Sequence, residues 1–241
     1  MPRQKVARTG AHKSHQRSLS SRIRRFWSGD EGLSAFLWLF VAVTFLFRPL
    51  EEMGVFSSSV LMIVVGLVTI SGVLAMASSP HLRVVFLVVA SLALASSALE
   101  RFSPSPGLRW LRLAVDVLWL GMICVVVMRH VFRAGPITWH RVEGALLVYI
   151  VFGVMCAEAF MTAFALDPQA FMMSGGPLPP GTLSDTFIYF SFTTLTTVGY
   201  GDITPVNPLV RSLANFEGLA GQIYLATLIS QLVSMKRSDH G

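Results

Sequence analysis

The sequence predicts an all-α membrane protein: six helices cross the bilayer, and a seventh, too short to cross, enters it and turns back. Two observations carry this. Of 241 residues, 53% are hydrophobic and only 13% are charged, against about a quarter charged in a soluble domain. Six apolar runs each reach about eighteen residues or more, enough for a helix to cross a ~30 Å hydrocarbon core. An eleven-residue run, Asp185–Leu195, lies between the fifth and sixth. As a helix it is only about 16 Å long.

The six spans are Leu33–Leu50, Val55–Ser78, Leu82–Leu99, Leu108–Val131, Val142–Leu166 and Leu209–Met235. Residues 1–32 precede them, mix Arg, Lys, Ser, His and Gln without apolar periodicity, and read as a disordered basic cytoplasmic tail. Residues 33–133 form a four-helix unit, and 134–235 hold the fifth span, the short helix and the sixth. Residues 236–241 are a short cytoplasmic tail. The two units meet at the polar link Arg133–His140. Asp167–Ser184, with Met172, Met173, Gly175, Gly176 and four prolines, reads as an external loop. Ser184 or Thr182 can cap the short helix.

Charge sets orientation and excludes a class. The net charge is +6, but eight of the nineteen Lys and Arg lie before Phe26, which makes a basic tail ahead of a span and no nucleic-acid surface. That tail either contacts anionic lipid, at ~1 kcal/mol per basic residue, or only orients the first helix. The tail, Arg83, the Arg129/Arg133/Arg141 cluster and Lys236/Arg237 fall on one side, which puts both termini in the cytoplasm. Arg48, Arg101, Arg109 and Arg112 are exceptions on the other side, beside Glu51, Glu52, Asp167, Asp185 and Asp202. Cys124 and Cys156 sit in apolar runs and read as buried thiols. No cleavable leader is expected, because the first apolar stretch follows about thirty polar residues.

The stretch Thr193–Pro205, Thr-Thr-Leu-Thr-Thr-Val-Gly-Tyr-Gly-Asp-Ile-Thr-Pro, carries the chemistry. A dehydrated cation needs several oxygens at fixed spacing, and consecutive backbone carbonyls serve only if they point one way. Gly199 and Gly201, alternating with Val198 and Tyr200, permit that path because glycine readily adopts positive φ. Carbonyls of Thr197, Val198, Gly199 and Tyr200, with the Thr197 hydroxyl, can then line a narrow pore, while the Val198 and Tyr200 side chains pack behind it. One loop supplies a quarter of a ring, so four copies of the chain are implied. The half-spanning helix before it is what a re-entrant loop needs. Its C-terminal end favours a cation at the pore centre.

With Thr196-Thr197-Val198-Gly199-Tyr200-Gly201-Asp202 as its selectivity filter, this stretch resembles the signature of the potassium-channel family. The resemblance is very specific over Asp185–Pro205, moderate over 134–235 and only architectural over the first four helices. It implies a homotetrameric, potassium-selective channel in the plasma (cell inner) membrane, with K+ as permeant ion at Thr197, Val198, Gly199 and Tyr200, and no cofactor. Asp202 stands at the filter's outer mouth, with Thr196 and Gly201 completing the motif. Where the family often has a Trp partner for this Asp, the short helix offers Tyr189, which can donate a hydrogen bond, and Phe190, which cannot.

Six spans with the pore last look like the voltage-gated architecture, whose fourth helix carries a basic residue at every third position. Here Arg109 and Arg112 begin such a series, and it stops. Moving one charge through the whole field is worth ~2.3 kcal/mol per 100 mV, and steep gating uses three or four per subunit, so at most weak voltage dependence is expected. The second and third spans have no interior Asp or Glu to receive moving arginines, and Asp116 reads as a local partner of Arg112 on one helix face.

Glu158, Arg211 and Glu217 are intramembrane or near-surface charges, of a kind usually paired. Either Arg211 pairs with Glu158 or Glu217 and braces the filter, or it lies in the headgroups without a specific partner. Gly218 and Gly221 lie near the middle of the sixth span. The resemblance suggests Gly221 as a gating hinge, and close packing against a neighbouring helix is the alternative. No soluble regulatory domain is expected after Met235. An enzyme is disfavoured: the histidines lie in tails, connections or, for His130, at the very end of a span, with no zinc-like spacing and no Gly-x-Ser-x-Gly elbow. Two other classes stay open. One is a non-conducting regulatory subunit; the other is a potassium-uptake transporter subunit, a family that carries four filter-like loops in one chain.

Overall fold

The computed structural model describes residues 30–55, 57–76, 80–103, 105–131, 139–179 and 184–238. The amino-terminal tail, the link after Val131 and the Thr182 cap fall outside these residues. The chain runs through α1 (Asp30–Ala42), a π-helical turn (Val43–Phe47), α2 (Arg48–Glu52), α3 (Ser58–Met76), α4 (Pro80–Phe102), α5 (Pro106–Val131) and α6 (Trp139–Leu166). It continues through β1 (Phe171–Met173), β2 (Gly176–Pro177), α7 (Ser184–Leu195), β3 (Ile203–Pro205) and α8 (Pro208–Ser238).

Local chemistry explains most boundaries. Three helices, α4, α5 and α8, begin with proline, whose fixed φ suits the first turn and whose missing N–H would be unpaired there anyway. Ser105 Oγ accepts from Leu108 N at 3.3 Å and Asn207 Oδ1 from Leu209 N at 2.9 Å, each capping the helix that follows. The wide turn between α1 and α2 precedes Pro49. A proline inside a helix removes a hydrogen bond and crowds the carbonyl four residues back. The π turn absorbs this, with Arg48 N donating to Val43 O.

Four helical stretches are long and apolar enough to cross a membrane among the described residues: Ser34–Glu51, His81–Glu100, Pro106–Arg129 and Trp139–Leu166. In α3 the apolar stretch is Ile63–Gly72. α8 is long but carries Arg211, Glu217 and Gln222 along its length. The chain is a multi-pass membrane protein.

Two apolar cores hold it together. One joins α1, α3, α4, α5 and the first half of α6 around Phe36, Phe86, Trp119, Ile123 and Val151. The other joins the second half of α6 to β1, α7 and α8 around Phe160, Phe171, Phe187 and Phe190. Phe171 lies at the centre of the latter, with ring centroids 5.3 Å from Phe187, 5.5 Å from Phe190 and 6.1 Å from Phe160, all near edge-to-face. Such pairs each add ~0.5–1.5 kcal/mol beyond area burial.

The all-α expectation needs one correction. Residues 171–177 and 203–205 form a three-stranded antiparallel sheet in the order β2-β1-β3. Met173 pairs with Gly176 across Ser174 and Gly175, whose φ values are +48° and +87°. Two consecutive positive φ values match the twist of a tight hairpin. β1 also pairs with β3 immediately after the filter-like stretch, Met173 opposite Ile203, so the external loop is a small platform beside that stretch.

Candidate functional site

α7 is wedged between α6 and α8 by side-chain economy. A Cβ on Gly221 of α8 would lie 2.8 Å from Leu195 O and 2.6 Å from Leu195 Cδ1; one on Gly153 of α6 would lie 2.9 Å from Phe192 Cζ. Both glycines are therefore close-approach positions at the C-terminal end of α7, which favours the packing reading of Gly221. Gly218 is roomier, its nearest neighbour being Thr194 O at 3.5 Å. The helix-end carbonyl of Leu195 accepts from Tyr149 Oη at 3.1 Å, and the Tyr149 ring stacks on Tyr224.

Beyond Leu195 the backbone leaves helix geometry in steps. Thr196 N donates to Phe192 O and Thr197 N to Thr194 O, each at 3.0 Å. Val198 N and Gly199 N then share Thr193 O, at 2.9 and 3.1 Å. Positive φ follows at every second residue: Thr197 at +59°, Gly199 at +52° and Gly201 at +77°. The glycines were legible in the sequence; Thr197, a β-branched residue in the left-handed region, was not. Among the described residues, no hydrogen bond of the chain ends on the carbonyls of Thr197, Val198, Gly199 or Tyr200.

Asp202 is held from two sides. Tyr189 Oη donates to its Oδ2 at 2.8 Å, and its own carbonyl accepts from Ser174 N at 2.9 Å. The Tyr189 and Tyr200 rings lie parallel, 6.2 Å apart. Phe190 is buried in the aromatic core. Val198 and Tyr200 face a groove lined also by Phe45, Pro49, Ile188 and Phe192. Phe45, on the π turn, meets Phe192 edge-on at 4.8 Å.

Arg211 makes neither of the two glutamate pairings that the brace alternative required. Its Nε donates to Pro205 O at 2.9 Å, and both glutamates are engaged elsewhere. Glu217 is fully buried, with Oε1 2.5 Å from Ser191 Oγ. Glu158 belongs to a charge network on the other side of α6. Arg112 reaches Glu100 Oε2 at 2.8 Å, Glu158 Oε2 at 3.0 Å and Asp116 Oδ2 at 3.3 Å. Arg109 reaches Glu100 at 3.4 Å and also bonds Ala165 O. Arg48 approaches Glu158 at 3.8 Å. The network borders a cavity of about 170 Å³ between the helices.

The pairing of Arg112 with Asp116 is as expected, and the network extends further. Glu100, one residue beyond the third predicted span, is an acceptor that the span-by-span reading passed over. Arg48, Arg109 and Arg112 looked like errors of orientation; each faces a carboxylate. Ser191, which meets Glu217, and Gly153, whose carbonyl meets Ser191, carried no sequence signal of their own.

A family model described as ion channel matches residues 145–237. An inward rectifier potassium channel, Kirbac3.1 of Paramagnetospirillum magnetotacticum, is 32% identical over 83 residues, 33% of this chain and 28% of that protein. The two pore potassium channel c of Oryza sativa subsp. japonica is 37% identical over 89 residues, 37% of this chain and 17% of that protein. Each match thus spans less than a third of the relative's own length. No solved structure matches. The matched region takes in α7, the alternating-φ stretch and almost all of α8, and the family is one of channels, not enzymes. Residues 145–237 are thus similar to an ion-channel family and, in part, to two potassium channels.

Proposed function

We propose that four copies of this chain form a potassium-selective channel whose filter is Thr197–Gly201, in the plasma membrane with both termini cytoplasmic. The observation that carries the reading is the alternation of positive φ at Thr197, Gly199 and Gly201, beside four carbonyls that accept no hydrogen bond from the chain. Backbone that changes hand at each residue turns successive carbonyls to one side. Oxygens left unpaired there can replace the hydration shell of a dehydrated cation. The end of α7, carrying roughly −0.5 charge, adds to the attraction.

Six crossings and a four-fold assembly are part of the proposal. The exposed apolar stripe Leu209, Phe216, Leu219 and Ile223 on α8 supports an assembly that covers this face. Voltage dependence is at most weak, because Arg109 and Arg112 are tied to carboxylates on three helices. Filter rigidity rests on Asp202, Tyr189 and Thr196.

The test is current through purified protein in planar bilayers, with potassium on one side and sodium on the other. A reversal potential near the potassium equilibrium value, with open probability nearly flat in voltage, is expected. Reversal near zero, or silence at all voltages, refutes the reading.

A further inference from the structure

Glu217 sits where an ionised carboxylate is hard to hold. It is fully buried, its Oε2 has no hydrogen-bond partner, and it has no ion-pair partner among the described residues. Its neighbours settle where the hydrogens lie. Ser191 Oγ is 2.7 Å from Gly153 O and 2.5 Å from Glu217 Oε1. A serine hydroxyl has one hydrogen, and a backbone carbonyl can only accept. If Ser191 donates to Glu217, two acceptor oxygens are left facing each other at 2.7 Å. If it donates to Gly153 O, the short contact to Glu217 needs a second hydrogen, and only a protonated carboxyl can supply it.

We propose that Glu217 is a proton-binding site: its carboxyl donates to Ser191 Oγ, which donates to Gly153 O, so that one bound proton ties α8 to α7 and α7 to α6 behind the pore. The titratable groups facing Glu217 are the Cys156 thiol and the Tyr149 phenol, both on α6. α7 contributes Ser191, and β3 contributes no ionisable side chain. Among the described residues no cation stands ready to take over when the proton leaves. Deprotonation leaves a buried anion, draws the Ser191 hydrogen away from Gly153 O and removes that tie between α7 and α6. Channel activity should therefore fall on the alkaline side. The hydrogen count stands whether or not the chain conducts potassium; only the effect on activity rests on the channel reading.

The test is infrared difference spectroscopy of the full chain in lipid, wild type against Glu217→Gln, in water and in heavy water at neutral and alkaline pH. A protonated-carboxyl carbonyl band is expected in the wild type at neutral pH. It should shift in heavy water, vanish on alkalinisation and be absent from E217Q. In Ser191→Ala the band should move to higher frequency, because the carboxyl hydrogen loses its acceptor; this variant suffices should E217Q not accumulate. No such band at neutral pH, or a band indifferent to S191A, overturns the proton site. Potassium flux in liposomes reads the switch separately. Flux that declines as the band disappears supports it, and flux unchanged across that range overturns the switch while leaving the proton site standing.

Discussion

Replacing Arg112 by Gln tests whether the four-helix unit holds its arginines fixed. The guanidinium spans three carboxylates, at 2.8 Å to Glu100, 3.0 Å to Glu158 and 3.3 Å to Asp116. At an effective dielectric of ~20, one contact at ~3 Å has a gross attraction of ~5 kcal/mol. Desolvation offsets much of this, and removing one partner of a buried pair typically costs ~3–5 kcal/mol. For a chain of this size that is a fall in Tm on the order of 10 °C. The same figure limits gating. A full-field transfer of one charge gains ~2.3 kcal/mol per 100 mV, so ~4 kcal/mol of broken pairing demands ~170 mV before Arg112 moves at all. The assays are thermal unfolding in detergent, followed by tryptophan fluorescence, and open probability against voltage. R112Q and E158Q should each lower Tm by several degrees. The double variant should fall by less than their sum, because the two side chains contact one another. An R112Q protein that melts with the wild type, or a steep voltage response within ±100 mV that R112Q abolishes, refutes the fixed-network argument.

Three further outcomes follow from the geometry. Tyr189→Phe removes the hydrogen bond to Asp202 and should appear as faster decay of potassium current under sustained recording with selectivity initially intact. Gly221→Ala drives a Cβ toward Leu195 O and should destabilise by ~1–3 kcal/mol, whereas Gly218→Ala meets only ordinary contact; Tm of the two variants separates them. On the proposed hydrogen count Glu217 holds a proton in the folded chain, whereas an unfolded glutamate loses it above about pH 4–5. The folded state then binds more protons, so stability falls as pH rises, by up to ~1.4 kcal/mol per unit, until Glu217 ionises. Tm against pH should slope downward in the wild type and flatten in E217Q.

What the sequence made legible was whatever depends on neighbours along the chain. Apolar run length located the long helices within a few residues of their ends, and the short run gave α7 almost to the residue. Gly199 and Gly201 announced positive φ because glycine is the residue that reaches it at low cost. Partnerships across the fold were not legible. That Arg112 turns to Glu158 depends on how α5 and α6 face each other, which no spacing encodes. The hairpin at Ser174–Gly175 did carry a signal, a turn pair after Phe171-Met172-Met173, but the prolines around it read as loop. Thr197 reaches the left-handed region because hydrogen bonds on either side of it, to Thr194 O and Thr193 O, hold the chain in place. Such strain, of order 1–3 kcal/mol, persists only where surrounding structure imposes it.

The wide turn before Pro49 governs angular phase. An α-helix advances about 100° per residue, so a turn that accommodates one extra residue rotates everything after it by about that much. Phe45 within the turn faces Phe192 of α7, and Arg48 just beyond it faces Glu158 of α6. One helix thereby addresses two elements of the channel domain that a uniform winding would present at a different relative angle. The imino acid at position 49 thus acts as a phase-setting device, locking the azimuth at which the four-helix unit meets its neighbour.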